Sequence, residues 1–144
     1  MKALLDSSVL IAGMLGLHSD HLRARVWLEK AKNGDIEAIV SAHSLVEVYS
    51  VLTRMPRPLQ VSTNVALQLI ESNILNYSEV IALTADDYRD LIRHLSQVGI
   101  AGGAVYDGII ACAAAKAQVD QIITLNARDF RRIYPALAAS VVVP

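Results

Sequence analysis

Along the chain, short apolar runs of strand length alternate with longer stretches of helical periodicity. Lys2 to Leu5 reads as a buried strand that stops at Asp6. Ser7 or Ser8 offers a cap for a helix over Val9 to Leu15. Asp20 is expected to cap an amphipathic helix, His21 to Lys32, with Leu22, Val26 and Ala31 turned inward and Asn33-Gly34 as its stop. A second strand is predicted over Ala38 to Val40. A helix follows from Ser44 to Arg54, closed by Pro56 and Pro58, and another from Ser62 to about Ser72.

Val80 to Leu83 reads as a third strand. Thr84, with Asp87 three residues on, starts a helix that ends at Gly99. Gly102-Gly103 forms a joint before an alanine-rich helix, Ala104 to Gln118. Gln121 to Thr124 is a fourth strand, Asn126 is placed to cap a short helix, and Val141 to Val143 is a final edge strand. Strands alternating with helices predict an α/β fold with a parallel central sheet, in one domain over residues 1–144. There is no repeat, low-complexity tract or long linker.

Composition changes this picture in two ways. Hydrophobic residues make up 53%, with one Phe and one Trp, so the core must be aliphatic. Mean hydropathy is +0.39, high for a small soluble monomer, which points to a homodimer or partner face. The apolar segment from Val9 to Leu17 resembles a weak leader, but Asp6 interrupts its approach, and no run reaches membrane-spanning length. With a single cysteine, Cys112 in an apolar run, no intrachain disulfide can form; a buried inert thiol in a cytoplasmic protein is the expectation.

The net charge of −1 carries no basic excess for a nucleic acid. Any such contact must use local clusters: Arg128, Arg131 and Arg132, or Arg54 and Arg57. Walker A, dinucleotide and GxSxG motifs are absent. His18 and His21 look like a metal pair but lack a third ligand nearby, and His43 and His94 are read as surface residues.

The acids are more informative. Asp6 lies between two apolar runs, at the carboxyl end of a strand, where open α/β sheets form ligand sites. It could equally be a helix cap. Asp107 sits in the first turn of a helix apolar almost all round. A buried ionised acid there must be paired, hydrogen-bonded or bound to a cation, or else serve only the helix N-terminus. Glu47 falls with Ser50 and Arg54 on the polar side of its helix, the pattern of a solvated face. Asp129 stands three residues after Asn126, a capping position, but could also face the crevice near Asp6. Two carboxylates ~5 Å apart at an effective dielectric of ~20 repel by about 3 kcal/mol. Such a cluster persists only with a cation or a proton, and oxygen ligands suit Mg²⁺ or Mn²⁺.

Four blocks occur in order: Leu4-Leu5-Asp6-Ser7-Ser8-Val9-Leu10-Ile11, Ser44-Leu45-Val46-Glu47-Val48, Tyr106-Asp107-Gly108-Ile109-Ile110-Ala111 and Thr124-Leu125-Asn126-Ala127-Arg128-Asp129-Phe130. Together they resemble the PIN-domain family, in particular the VapC-type toxins of toxin–antitoxin pairs. The resemblance implies a three-layer α/β/α nuclease fold and Mg²⁺- or Mn²⁺-dependent cleavage of RNA, often structured RNA such as tRNA. It implies Asp6, Glu47 and Asp107 as metal-holding acids and a small cognate antitoxin as inhibitor. Ser8 matches a supporting small polar position, with Thr124 and Asn126 beside it. Many members carry Asp where this chain has Asn126, so Asp129 is the candidate fourth acid. The competing readings are a catalytically weak interaction module of the same fold and a phosphotransfer domain with Asp6 as acceptor.

Overall fold

The computed structural model describes all residues from Met1 to Pro144. Five short strands, β1 (Lys2–Leu5), β2 (Glu37–Ser41), β3 (Ser78–Ile81), β4 (Gln121–Ile123) and β5 (Val141–Val142), form one sheet in the order β3-β2-β1-β4-β5. Every pairing is parallel. The helices are α1 (Ser7–Met14), α2 (His21–Asn33), α3 (Ala42–Arg54), α4 (Thr63–Ile70), α5 (Ala85–Val98), α6 (Ala104–Ala117) and α7 (Ala127–Ile133). A π-helical turn, Glu71–Leu75, extends α4, and a 3-10 segment, Pro135–Ser140, precedes β5.

The three layers follow from period-two alternation in strands buried on both faces. Ala3 and Leu5 of β1, Ala38 and Val40 of β2 and Ile123 of β4 pack with α1, α2, α3 and α4. Leu4, Ile39 and Ile122, one residue out of step, pack on the other face with α6 and α7, around Ile110, Ala114 and Phe130. Leu91 and Leu95 of α5 join Ile133 in a smaller cluster. The fold is the expected α/β/α sandwich.

The elements depart from expectation in phase more than in existence. β3 begins two residues earlier than its apolar run, at Ser78, because it is an edge strand with one partner and little burial. In α2 the inward stripe is Ala24, Leu28 and Ala31, leaving Leu22 79% and Val26 47% exposed. A Cβ on Gly13 would lie 2.6 Å from Leu28 Cδ1, so the bare glycine of α1 is what makes room for Leu28 of α2 at this contact. Gly99 ends α5 at φ +71°, as a left-handed C-cap requires.

Three expected caps are absent. Neither Ser7 nor Ser8 caps α1; Asp6 occupies the N-cap position without a side-chain cap bond. Asp20 pairs with Arg23 instead of capping α2, and Asn126 makes no cap bond to α7. By contrast Ser62 caps α4, and Thr84 with Asp87 forms a complete capping box, where Lys116 and the Thr84 bonds hold the Asp87 carboxyl down at about 2. No helix is long and apolar enough to cross a membrane.

The strand order reverses at β1. From there the chain steps outward through β2 and β3, then returns to the other side of β1 with β4 and β5. The crevice at such a switch point, outside the strands' carboxyl ends, is where parallel α/β sheets place their sites. Asp6 and Thr124 are the residues that leave β1 and β4 at that point.

Candidate active site

Asp6 continues the parallel ladder by one bond, its N–H donating to the Ile123 carbonyl at 3.0 Å, while its own carbonyl accepts from Val9 and Leu10 in α1. The residue is thus locked between β1 and the first turn of α1, 3% exposed. Its Oδ2 accepts from Ser8 Oγ at 2.5 Å and from Thr124 Oγ1 at 2.8 Å. Thr124 Oγ1 also accepts from the Asn126 N–H at 2.9 Å, and Ser8 Oγ accepts from the Leu125 N–H at 3.1 Å. The β1 and β4 exits are stitched together through this one carboxylate. Burial pushes the Asp6 carboxyl above the ordinary range, against the pull of the two hydroxyls.

The other acids converge from three helices. Glu47 on α3 accepts at Oε2 from Ser7 Oγ at 2.8 Å, and His43 Nε2, one turn earlier, stands 3.6 Å from the same oxygen. Asp107 on the first turn of α6 accepts at Oδ2 from Asn126 Nδ2 at 2.8 Å. The same amide donates to Asp129 Oδ2 on α7 at 3.1 Å, and Arg132 approaches the other Asp129 oxygen at 3.7 Å. Asp107 is half-buried, and its carboxyl is pushed up to about 7. Burial is the largest cause, followed by the charges of Asp6, Asp129 and Glu47. The four acids therefore share one electrostatic neighbourhood.

The helix-start residues here have left their local tasks. Asp6, Ser41 and Asn126 occupy N-cap positions at α1, α3 and α7, and none makes a side-chain cap bond. Asn126 holds two acids instead, and Ser7 and Ser8 each hold one. The main side-chain contacts of Asp6 and Asp129 therefore run to Ser8, Thr124 and Asn126. The solvated-face picture of Glu47 is also only half right: its face is polar, but it forms the wall of a groove with Arg54, Gly103 and Asp107.

Ligand chemistry agrees with a hard divalent cation, since every donor is oxygen and the repulsion at Asp107 is of the kind a cation relieves. As the side chains stand, no three acids close around a common point, and Ser, Thr and Asn donors hold one oxygen each of Asp6, Glu47 and Asp107.

Other candidates fall away from the site. His21 Nδ1 is 3.0 Å from the Ala12 carbonyl, and His18 Nδ1 accepts from the Asp20 N–H. Cys112 is half-buried rather than buried, and burial raises its thiol, so it stays protonated near neutral pH. His94 is not a free surface residue: it stacks on Tyr134 at 4.4 Å and reaches the Ile133 carbonyl. Nor is His43, whose ring stacks on Tyr106 at 5.7 Å with an interplanar angle of 3°. From the sequence Ser7 was read only as a possible helix cap, His43 only as a surface residue and Tyr106 not at all, although the i, i+4 spacing of His43 and Glu47 was a usable signal.

Thr124 is fully buried and serves two partners, so Thr124→Val should cost about 1–3 kcal/mol at neutral pH, the desolvation cost of polar groups left without their bond. Urea unfolding of the two proteins measures this; equal midpoints would mean the hydroxyl does not hold Asp6.

The PIN domain family model matches residues 3–135. Ribonuclease VapC40 of Mycobacterium tuberculosis is 38% identical over 128 residues, covering 89% of this chain and 87% of that protein. Among solved structures, Mycobacterium tuberculosis VapC20, described as a sarcin-ricin-loop-cleaving toxin, superposes with a TM-score of 0.70 at 17% identity. That match covers 89% of this chain and 92% of the other. VapBC2 from Rickettsia felis, solved on a DNA fragment from its promoter, gives 0.65 at 20% identity over 100% of this chain and 98% of the other. At these identities the two structures speak for the fold.

Proposed function

The chain belongs to the PIN domain family, and from that premise we propose that it is a divalent-metal-dependent endoribonuclease, the toxin of a toxin–antitoxin pair, acting through Asp6, Glu47, Asp107 and Asp129. The observation that carries this reading is Asp107, a carboxyl held up to about 7 by burial and by three neighbouring acids. Folding alone gains nothing from that arrangement, and perturbed groups at a crevice mark working sites. The relatives named ribonucleases support the same activity.

Asp6, Asp107 and Glu47 are the residues to hold Mg²⁺ or Mn²⁺, and Asp129 adds negative charge beside them. A bound cation supplies Lewis-acid charge for the phosphate and a water of lowered pKa. The chain's own part is orientation. Ser8 and Thr124 fix the Asp6 carboxylate, Ser7 fixes Glu47, and Asn126 sets the spacing of Asp107 and Asp129. Without a cation the Asp107 carboxyl is held up to about 7, and ligation would hold it ionised.

The test is cleavage of total RNA by the purified protein with Mn²⁺ against the same reaction in EDTA; products in neither would remove the reading. A weak interaction module would give no products. Asp6 as a phosphoacceptor fits poorly, because its carboxylate is buried and its Oδ2 already accepts two bonds.

The partners are RNA, a small antitoxin and a second copy of the chain, in the cytoplasm. Leu17, Leu22, Val46 and Ile92 are all strongly exposed, in line with the high mean hydropathy. Light scattering should therefore return twice the 15.6 kDa chain mass; a monomer that gains no mass with concentration would rule the homodimer out.

A further inference from the structure

Resting on the ribonuclease reading, we infer that the groove between α3 and α6 is a subsite for one unstacked nucleotide of single-stranded RNA beside the acids, with the Tyr106 ring as the base platform and Arg54 as the phosphate contact. The groove holds about 450 Å³, within the ~300–1,000 Å³ range of small-ligand sites. Glu47 and Asp107 line it together with His43, Arg54 and Tyr106, so whatever sits there lies against the proposed catalytic groups. A larger hollow of about 610 Å³, at the loop before α4, carries neither an acid nor an aromatic ring.

Tyr106 is the informative residue. It directly precedes Asp107 and is 57% exposed. The His43 ring lies nearly parallel to it, centroids 5.7 Å apart, and His43 itself stands 3.6 Å from Glu47. The ring thus neighbours a side chain that also approaches the acid cluster, and more than half of the residue is open to solvent. An aromatic face beside an acidic centre suits a base taken out of its stack, since bases in a duplex already cover one another. Stacking accepts any base, so the subsite confers preference for unpaired RNA rather than for one sequence.

Arg54 supplies the charge. Of the groove's lining residues Arg54 is the only Lys or Arg, and no carboxylate pairs with it, as is also true of Lys30, Lys32, Arg57, Arg128 and Arg131 elsewhere. It lies two helical turns from Glu47 on the same side of α3 and lines the same groove. A chain with net charge −1 and a local acid cluster needs such a cation to bring a phosphate in.

The experiment uses a short single-stranded oligoribonucleotide carrying 2-aminopurine, bound to the Asp107→Asn protein so that it is not cut. Stacking quenches the fluorescence. Adding Tyr106→Ala should abolish the quench and weaken binding roughly 5- to 150-fold. Tyr106→Phe should keep both. Arg54→Ala should weaken binding and lower the salt slope by about one, whereas Tyr106→Ala should leave the slope alone. In the active protein Tyr106→Ala should raise KM more than it lowers kcat. No binding by the Asp107→Asn protein, or binding and quench indifferent to Tyr106→Ala, overturns the subsite. So does a Tyr106→Ala protein that binds RNA normally but escapes its antitoxin, since the groove would then serve the protein partner. The ribonuclease reading fails separately: a wild-type protein that cuts no RNA, with the quench still dependent on Tyr106, leaves the subsite standing without the activity.

Discussion

Asp107→Asn is expected to lower Mn²⁺-dependent RNA cleavage by on the order of 10² to 10³, the usual cost of losing one electrostatic contribution to a transition state, while leaving the chain folded. The exchange is nearly isosteric, so the packing of α6 against α5, where Gly108 already lies close to Leu95, is undisturbed. An amide at 107 still offers an oxygen to Asn126 Nδ2. What disappears is one charge from the group formed with Asp6, Asp129 and Glu47, so the metal-free variant should melt at or above the wild-type temperature. The rival view is that Asp107 only serves the first turn of α6. An asparagine does that about as well, and then neither activity nor stability would move. A paired measurement of melting temperature and cleavage of total RNA separates the two, and expression in cells adds a third readout, with slowed growth for the wild type only. Full activity in Asp107→Asn would sink the catalytic assignment.

What could be read in the chain, and what could not, divides along a physical line. The end of β1 was legible because a polar residue that closes an apolar run marks where two-sided burial stops, and Asp6 falls just past the strand as read. Thr124 was read as the last residue of the fourth strand, whereas β4 ends one residue earlier, at Ile123, and Thr124 already turns its hydroxyl to Asp6. The phase of α2 was not legible from its own residues, because the surface it buries against belongs to α1, where Gly13 makes room for Leu28. Glu47 looked like a solvated residue because a helical wheel cannot distinguish open solvent from the wall of a groove; the other wall comes from Gly103 and Tyr106, far along the chain. The caps show where local rules stop. Ser62 and Thr84 behave as their sequence context dictates. Ser7, Ser8 and Asn126 turn from their helices to carboxylates supplied by other elements or the neighbouring strand end. Departures from local consistency gathered at one crevice are themselves a sign of a site maintained for chemistry.

The metal-free protein is expected to lose stability as pH rises from about 4 to about 7, and Mn²⁺ or Mg²⁺ is expected to restore it. The sign follows from Asp107. Its carboxyl has the ordinary value of 3.8 in the unfolded chain and about 7 in the folded one, so between those values the folded state binds the extra proton. Stability therefore falls with rising pH across that window and levels off above it. Asp6, also raised, adds to the fall in the same direction. Asp87, held at about 2, acts oppositely but below pH 4, outside the window. Because Asp107 is only half-buried, solvent screening reduces its share to roughly 1–2 kcal/mol. A cation binds the ionised acids, so its effect should grow as the proton leaves. At about 100 times its Kd it should add about 2.7 kcal/mol, with EDTA reversing the gain. Below pH 7 the proton competes with the cation, and the apparent affinity should drop up to about tenfold per pH unit for each proton displaced. Melting curves at pH 6 and pH 8, with and without millimolar Mn²⁺, give all four corners. The reading requires the largest rise at pH 8 and its loss in Asp107→Asn. Melting temperatures indifferent to Mn²⁺ at both pH values would leave the acids without the cation that their crowding calls for.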